Sequence, residues 1–145
     1  MPTEVEFHTG VDEPLVFACR LLRKAYRKGV RVVVTAPPAL LARLDRELWT
    51  FDERDFVPHV RWAANAAVPR TAGRTPIWLV DGEPPADAPS VLVNVGASRV
   101  AEPERFERII EIVSDDTDDL QAGRLRWRDY LQRGLSPIKH PLNHG

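Results

Sequence analysis

The sequence predicts a single α/β domain with a mainly parallel β-sheet flanked by helices. The chain length of 145 residues suits one domain. Short apolar runs typical of buried strands alternate with segments of helical spacing along almost the whole chain. The apolar fraction of 43% and the charged fraction of 28% are those of an ordinary globular protein. We expect the domain to span residues 1–136, followed by a loose C-terminal tail over 137–145.

The first half of the chain contains two strand–helix pairs. Val5 and Phe7 alternate with polar residues, which predicts a short half-buried strand. Residues 14–28 follow as a helix, with a proline in the first turn and a glycine after the last. The apolar run 31–35 is typical of a strand that is buried on both faces. A second helix is expected over 38–49, after a pair of prolines.

The middle of the chain is expected to hold a long loop and two strands. Residues 50–75 show no sustained period and carry prolines and several alanines. Long loops in compact domains are often functional. Strands are predicted at 77–80 and 91–95, separated by a turn rich in glycine and proline.

The last third is predicted to contain two helices and one strand. A short helix is expected over 103–110 and a fifth strand over 111–113. Residues 115–133 are expected to form the last helix. This segment is acidic at its start and basic at its end, as the helix dipole favours. A glycine ends this helix, and two prolines indicate the loose tail.

Composition excludes several classes of protein. Twenty basic and twenty-one acidic residues give a formal charge of −1, which disfavours a basic groove that binds DNA directly. A single cysteine, Cys19, excludes an internal disulfide framework, and we expect it to be a small buried residue. No apolar run is long enough to cross a bilayer, and the first residues lack signal-peptide features. The expected location is the cytoplasm.

Motifs for catalysis and nucleotide binding are missing. The sequence has no dinucleotide-binding glycine motif, no phosphate-binding loop and no nucleophile elbow. A Rossmann-like outline by itself says nothing about function. An acidic cluster at 115–119 is interpreted as helix N-terminal acids rather than a metal site, since no glycine turn accompanies it. No catalytic residues, metal or cofactor are therefore expected.

Two surface constellations leave alternatives open. The helix face between Arg20 and Lys28 is basic and is either a solvated face or a local anion-facing patch. Trp49 ends the second helix and Phe56 follows in the loop. These two aromatic residues either pack beneath the loop or form an interaction surface.

The last helix carries a third constellation. Its members fall on one face at helical spacing: Leu120, Arg124, Trp127, Arg128 and Leu131. An aromatic ring with neighbouring guanidinium groups suits a peptide end that combines an apolar side chain with a carboxylate. The alternative is an ordinary Arg–aromatic pair on the surface.

Three segments of the sequence resemble the chi subunit of the bacterial DNA polymerase III holoenzyme. These segments read RLDRELW at 43–49, FVPH at 56–59 and RLRWRDY at 124–130, with Gly134 following. Their order and spacing, together with the flanking strands, agree from residue 4 to about residue 136. The first two segments are the specific part of the resemblance.

The resemblance implies a non-catalytic adaptor of the clamp-loader complex in DNA replication. Chi proteins have a Rossmann-like fold, bind the psi subunit, and bind the acidic, Phe-ending C-terminal tail of single-stranded DNA-binding protein (SSB). By position, Arg124, Trp127 and Arg128, with Val113 beside them, correspond to the tail-binding site. The family more often has tyrosine at the position of Trp127, so the stacking surface carries over and a phenol hydrogen bond does not.

The resemblance also has implications for partners and location, and one alternative function stays open. The resemblance assigns Trp49 and Phe56 to the surface that binds psi. It implies that DNA is contacted only indirectly, that no membrane is involved, and that the protein is associated with the replisome in the cytoplasm. The alternative is a small Rossmann-like nucleotide-binding domain or enzyme with an atypical loop.

Overall fold

A seven-stranded sheet organises the molecule. The computed structural model describes residues 2–50, 56–63, 66–69, 71–97 and 99–142. The strands among these residues are β1 (Glu4–Val11), β2 (Val32–Thr35), β3 (His59–Ala63), β4 (Ile77–Asp81), β5 (Val91–Val95), β6 (Arg108–Ser114) and β7 (Ile138–Pro141). Their order across the sheet is β3-β4-β2-β5-β6-β1-β7, and every pairing is parallel. The predicted α/β class with a mainly parallel sheet is confirmed.

The α-helices among the described residues are α1 (Pro14–Arg27), α2 (Pro38–Thr50) and α3 (Thr117–Gln132). They agree with the predicted helices to within two residues at each end. Proline occupies the first turn of α1, where its missing N–H costs no helical hydrogen bond. Gly29 follows α1 with a φ of +74°, a left-handed conformation that ends the helix.

The two faces of the sheet carry separate apolar cores. Leu22 of α1 and Leu41 of α2 pack on one face, together with Val34 of the sheet. On the other face, Tyr130 of α3 packs with Phe7 of β1. Because helices cover both faces, the central strands are buried on both sides, which explains their continuous apolar runs. Each fully buried Val, Leu or Ile side chain stabilises such a fold by about 1.5–3 kcal/mol.

The predicted helix over 103–110 is wrong. A 3-10 turn spans Pro103–Arg105, and β6 begins at Arg108, three residues before the predicted fifth strand. Ile109 and Ile110 lie in register with both β5 and β1, and both are buried. Pairing on both edges, together with β-branched side chains, favours a central strand over a short helix.

Both edge strands of the sheet, β3 and β7, lie in segments that were not predicted to be strands. Within the predicted loop, His59–Ala63 forms β3 beside β4. Within the expected tail, Ile138–Pro141 forms β7 beside β1, so this segment is not loose. Parts of the predicted loop, at 51–55, 64–65 and 70, and residues 143–145 of the tail lie outside the described residues.

Candidate functional site

A groove of about 500 Å³ lies between α3, β1 and β7. Its lining combines apolar, small and charged residues: Phe7, Thr9, Gly10, Val113, Asp115, Leu120, Gly123, Arg124, Trp127, Lys139 and Pro141. Three residues of the predicted tail-binding set, Val113, Arg124 and Trp127, are therefore brought together.

The register of β1 and β7 decides which side chains face this groove. Phe7 pairs with Lys139, and Thr9 pairs with Pro141. Paired residues in neighbouring strands point to the same face of the sheet. All four line the groove beneath α3. The intervening His8 lies on the opposite face, 5.5 Å from the ring of Phe17 of α1.

Close packing of α3 on β6 forms the floor of the groove. A Cβ added at Gly123 would lie 3.1 Å from both methyl carbons of Val113. That distance is shorter than ordinary van der Waals contact. A side chain at this position would therefore press on Val113, and glycine lets the helix lie this close to the strand without that crowding.

A buried polar network fixes α3 on the sheet. Arg126 Nε donates to Glu111 Oε1 at 2.9 Å, and the Tyr130 hydroxyl donates to Glu111 Oε2 at 2.6 Å. Asn94 Nδ2 donates to the same Oε2 at 3.3 Å. Burial raises the pKa of Glu111, and the hydrogen bonds from Arg126 and Tyr130 oppose that effect. Burial also raises the pKa of Tyr130, and the nearby Glu111 carboxylate raises it further.

Trp127 provides the aromatic wall of the groove. Its ring lies edge-on to the ring of Phe7, with centroids 5.0 Å apart. Trp127 is half-buried, so part of the ring remains accessible. Two cations from different elements, Arg124 of α3 and Lys139 of β7, complete the lining, with Asp115 as an acidic member. The groove thus offers an apolar surface next to positive charge.

Arg128 does not line this groove. It lines a neighbouring cleft on the other flank of α3, with Gly96, Ala97 and Arg99. Arg99 Nη1 donates to Asp129 Oδ1 at 3.1 Å in that cleft. Helical spacing predicts that Arg124 and Arg128 share one face of α3, but in the structure the two side chains line different clefts.

Trp49 and Phe56 form a second exposed surface. Their side chains are 53% and 60% exposed, and their ring centroids are 5.3 Å apart. The Trp49 ring also lies 4.5 Å from the ring of His59, which is buried. His59 Nδ1 lies 2.8 Å from the Val57 carbonyl oxygen, and its Nε2 lies 2.9 Å from Asp45 Oδ1. These contacts hold the ring that supports Trp49.

Three other features that stand out in the sequence lie away from the groove or have structural contacts: Cys19, the acidic cluster at 115–119 and the basic face of α1. Cys19 is buried, and burial raises the pKa of its thiol to about 12. Asp119 Oδ2 accepts a hydrogen bond from the Ser114 N–H at 2.7 Å, so this acid holds the start of α3. The basic face of α1 lies across the sheet from α3 and does not adjoin the groove.

No group of three or more His, Cys, Asp or Glu side chains among the described residues is placed to hold a metal ion. None of the helices in the same residues is long and apolar enough to cross a membrane.

Sequence reasoning missed several residues that build the groove. Lys139 lies in a segment expected to be loose, and its β-branched neighbour Ile138 between prolines was a weak strand signal. Gly123 inside a helical pattern is a recognisable signal of close packing. Glu111 in an apolar run is a signal of a buried polar contact, because a charged residue is seldom fully buried without a partner.

A family model and a curated relative match this chain over most of its length. The model of a family described as DNA polymerase III chi subunit, HolC, matches residues 1–137. The chain is similar to the DNA polymerase III subunit chi of Pseudomonas aeruginosa, with 32% identity over 129 residues that cover 88% of this chain and 86% of that protein.

A solved structure provides a comparison of folds. The C-terminal part of the Fun30 ATPase domain superposes with a TM-score of 0.54 at 13% identity, covering 76% of this chain and 44% of that one. At this identity the likeness concerns the fold alone. The family model matches nearly the whole chain, and the match to the curated relative covers most of both proteins. The chain belongs to the DNA polymerase III chi subunit family, which makes it an accessory subunit in DNA replication.

Proposed function

We propose that this protein is a non-catalytic adaptor that links the clamp loader to SSB during replication. The groove beneath α3 binds the acidic, Phe-ending C-terminal tail of SSB, and the surface of Trp49 and Phe56 binds the psi subunit. DNA is reached only through SSB, and the protein is associated with the replisome in the cytoplasm. The non-catalytic assignment rests on the missing phosphate-binding and nucleophile motifs of the sequence.

The composition of the groove is the observation that carries the proposal. A peptide that ends in phenylalanine needs an apolar seat for its ring and a cation for its terminal carboxylate. Trp127 and Phe7 supply the apolar surface, and Arg124 lies beside them. Guanidinium groups bind carboxylates through charge-assisted hydrogen bonds, which are stronger than neutral ones. The groove therefore matches both chemical features of such a peptide end.

The psi assignment is supported by exposure of an aromatic pair. Trp49 and Phe56 are each more than half exposed and are in ring contact with one another. Aromatic residues are enriched in protein interfaces, and tryptophan is enriched among the residues that contribute most of the binding energy. The buried ring of His59 packs against the Trp49 ring with centroids 4.5 Å apart, which supports this exposed side chain in the free protein.

A peptide titration tests the tail-binding proposal. Fluorescence anisotropy is measured for a labelled acidic peptide ending in phenylalanine, at low and high salt. Wild type is expected to bind saturably, and more weakly at high salt because part of the attraction is electrostatic. Trp127→Ala is expected to weaken binding about 10-fold to 100-fold, since it removes the apolar seat. Circular dichroism confirms that the variant is folded.

Two results would contradict the proposal. Unchanged affinity of Trp127→Ala would locate the peptide elsewhere. Saturable binding of ATP or NAD with turnover would favour the alternative of a nucleotide-binding enzyme. ATP and NAD are therefore titrated against the same preparation.

A further inference from the structure

We infer that Lys139 of β7 is a specificity-determining residue that binds the terminal carboxylate of the peptide together with Arg124. This inference rests on the proposed tail-binding function and names a contact beyond it. It assigns a role to β7, which lies in the segment predicted from the sequence to be a loose tail. It also replaces the expected pairing of Arg124 with Arg128 by a pairing of Arg124 with Lys139.

The register places Lys139 at the apolar seat. Lys139 is paired with Phe7, and Phe7 contacts the ring of Trp127. Residues in register share a face of the sheet, so the lysine points to the α3 side of β1 and β7. Both Lys139 and Arg124 line the groove, one from the strand and the other from the helix. A ligand in the groove therefore meets a cation on each side.

Both cations are available to a ligand. Within the described residues, neither Arg124 nor Lys139 has an oxygen of a carboxylate within ion-pair distance. Other arginines differ: Arg108 is 2.9 Å from Glu6, and Arg133 is 3.1 Å from Asp129. In the part of the chain that the structure describes, a ligand carboxylate in the groove therefore has no internal carboxylate to displace from either cation.

Asp115, the acidic residue in the lining of the groove, favours one orientation of the bound peptide. Lys139 is level with Phe7, which pairs with Glu111 of β6. Asp115 comes four residues after Glu111, roughly 13 Å further along the strand direction. A carboxylate is attracted to the end with Lys139 and repelled from the end with Asp115. The charges therefore favour a peptide whose terminus lies near β7.

Arg128 is a poorer candidate for the second cation. It lines the cleft on the other flank of α3, beside Arg99 and Asp129. Binding of one carboxylate by both Arg124 and Arg128 would require the ligand to lie on the outer surface of α3. A ligand in that position would lose the contact of its apolar side chain with the seat formed by Phe7 and Trp127.

The experiment compares two peptides that differ only at the terminal carboxylate. One is the acidic peptide ending in phenylalanine with a free carboxylate, and the other ends in a carboxamide. Both are titrated against wild type, Lys139→Ala, Lys139→Arg and the control Lys24→Ala. Lys24 is exposed on α1, across the sheet from the groove, and its substitution changes the net charge equally. Lys139 is exposed, so thermal unfolding is expected to be unchanged in its variants.

The inference predicts a loss of discrimination between the two peptides. Wild type is expected to bind the free acid roughly 10-fold to 100-fold more tightly than the carboxamide. Only the free carboxylate accepts charge-assisted hydrogen bonds from the two cations. Lys139→Ala is expected to reduce this preference by about tenfold while binding the carboxamide as wild type does. Lys139→Arg is expected to retain most of the preference, and Lys24→Ala all of it.

The titrations distinguish failure of the Lys139 inference from failure of the proposed tail-binding function. If wild type binds the acid peptide and Lys139→Ala keeps the full acid-to-carboxamide preference, this inference is overturned and the proposed function stands. If wild type binds neither peptide, both are overturned. An equal loss in Lys24→Ala would reduce the effect of Lys139 to overall charge and would also overturn the inference.

Discussion

Arg126 and Glu111 form a fully buried ion pair between α3 and the sheet, with Nε and Oε1 2.9 Å apart. Their side chains are 4% and 0% exposed. The network of Glu111 with Arg126 and Tyr130 fixes the helix that carries Arg124 and Trp127. The position of the groove thus depends on residues that do not line it.

The first prediction concerns this pair. Glu111→Leu leaves the Arg126 guanidinium buried without its carboxylate, and we expect a loss of about 3–5 kcal/mol in the free energy of unfolding. Glu111→Leu combined with Arg126→Leu is expected to recover a large part of that loss, because no uncompensated charge remains. Urea unfolding measures both variants, with the exposed Glu102→Leu as control. Equal stability of Glu111→Leu and the control would show that the pair does not anchor α3.

The second prediction concerns the close approach at Gly123. In Gly123→Ala, the new methyl group meets both methyl groups of Val113, and overpacking of this kind costs about 1–3 kcal/mol. The higher helix propensity of alanine offsets about 1 kcal/mol of that cost. We expect a net destabilisation and weaker peptide binding. In a Val113→Ala background, the same Gly123→Ala change is expected to be neutral or stabilising, and a loss of equal size there would contradict the packing argument.

The third prediction separates the two arginines of α3. Arg124→Ala is expected to weaken binding of the acidic peptide by about 1.5–3 kcal/mol, because Arg124 lines the groove. Arg128→Ala is expected to cause a smaller loss that disappears at high salt, because Arg128 lies in the neighbouring cleft. Anisotropy titrations at two salt concentrations measure both. A larger effect for Arg128 would indicate that the peptide lies across the outer surface of α3.

The fourth prediction concerns the aromatic surface of Trp49 and Phe56. Trp49→Ala is expected to weaken psi binding by about 2 kcal/mol or more and to leave binding of the acidic peptide unchanged. Because Trp49 is 53% exposed, the free energy of unfolding should change little. Calorimetric titration with psi measures the first effect, and the exposed Leu131→Ala is the control. Equal affinity of the two variants would remove Trp49 from the psi surface.

The fifth prediction concerns pH and the edge of the sheet near β7. Burial lowers the pKa of His8 below 6.5, opposed by the nearby Glu6 carboxylate. The unfolded chain therefore binds more protons than the folded one just below that pH, and stability falls as the pH drops through this window. His8 stacks on His140 of β7 at 5.2 Å, and Arg108 also lies close to Glu6.

Urea midpoints at about pH 7.5 and about pH 5.5 measure the effect of His8. His8→Gln is expected to flatten the fall in stability, because glutamine does not titrate in this window. His140→Gln is the comparison variant on the partner strand. An unchanged slope in His8→Gln would assign the pH dependence to other groups.

Elements with strong local signals could be predicted from the amino-acid sequence alone. The helices that became α1, α2 and α3 were predicted because their apolar residues recur at helical spacing, with proline or glycine near their ends. The strands at 77–80 and 91–95 were predicted because strands buried on both faces are continuously apolar. These signals are local, so no knowledge of distant partners is needed to recognise them.

The edge strands were decided by tertiary pairing. Ile138–Pro141 contains a lysine, a histidine and a proline and is exposed at every position. It becomes a strand only because β1 offers it an unpaired edge. The helix predicted over 103–110 failed for a related reason, since Ile109 is placed between two neighbouring strands.

The groove combines both kinds of information. The sequence alone singled out Arg124 and Trp127, because aromatic and basic side chains stand out on one helix. Only the tertiary structure added Lys139 and moved Arg128 to another cleft. Helical spacing gives the direction of a side chain around its own axis, whereas the strand register and the approach of α3 at Gly123 depend on contacts between residues far apart in the chain.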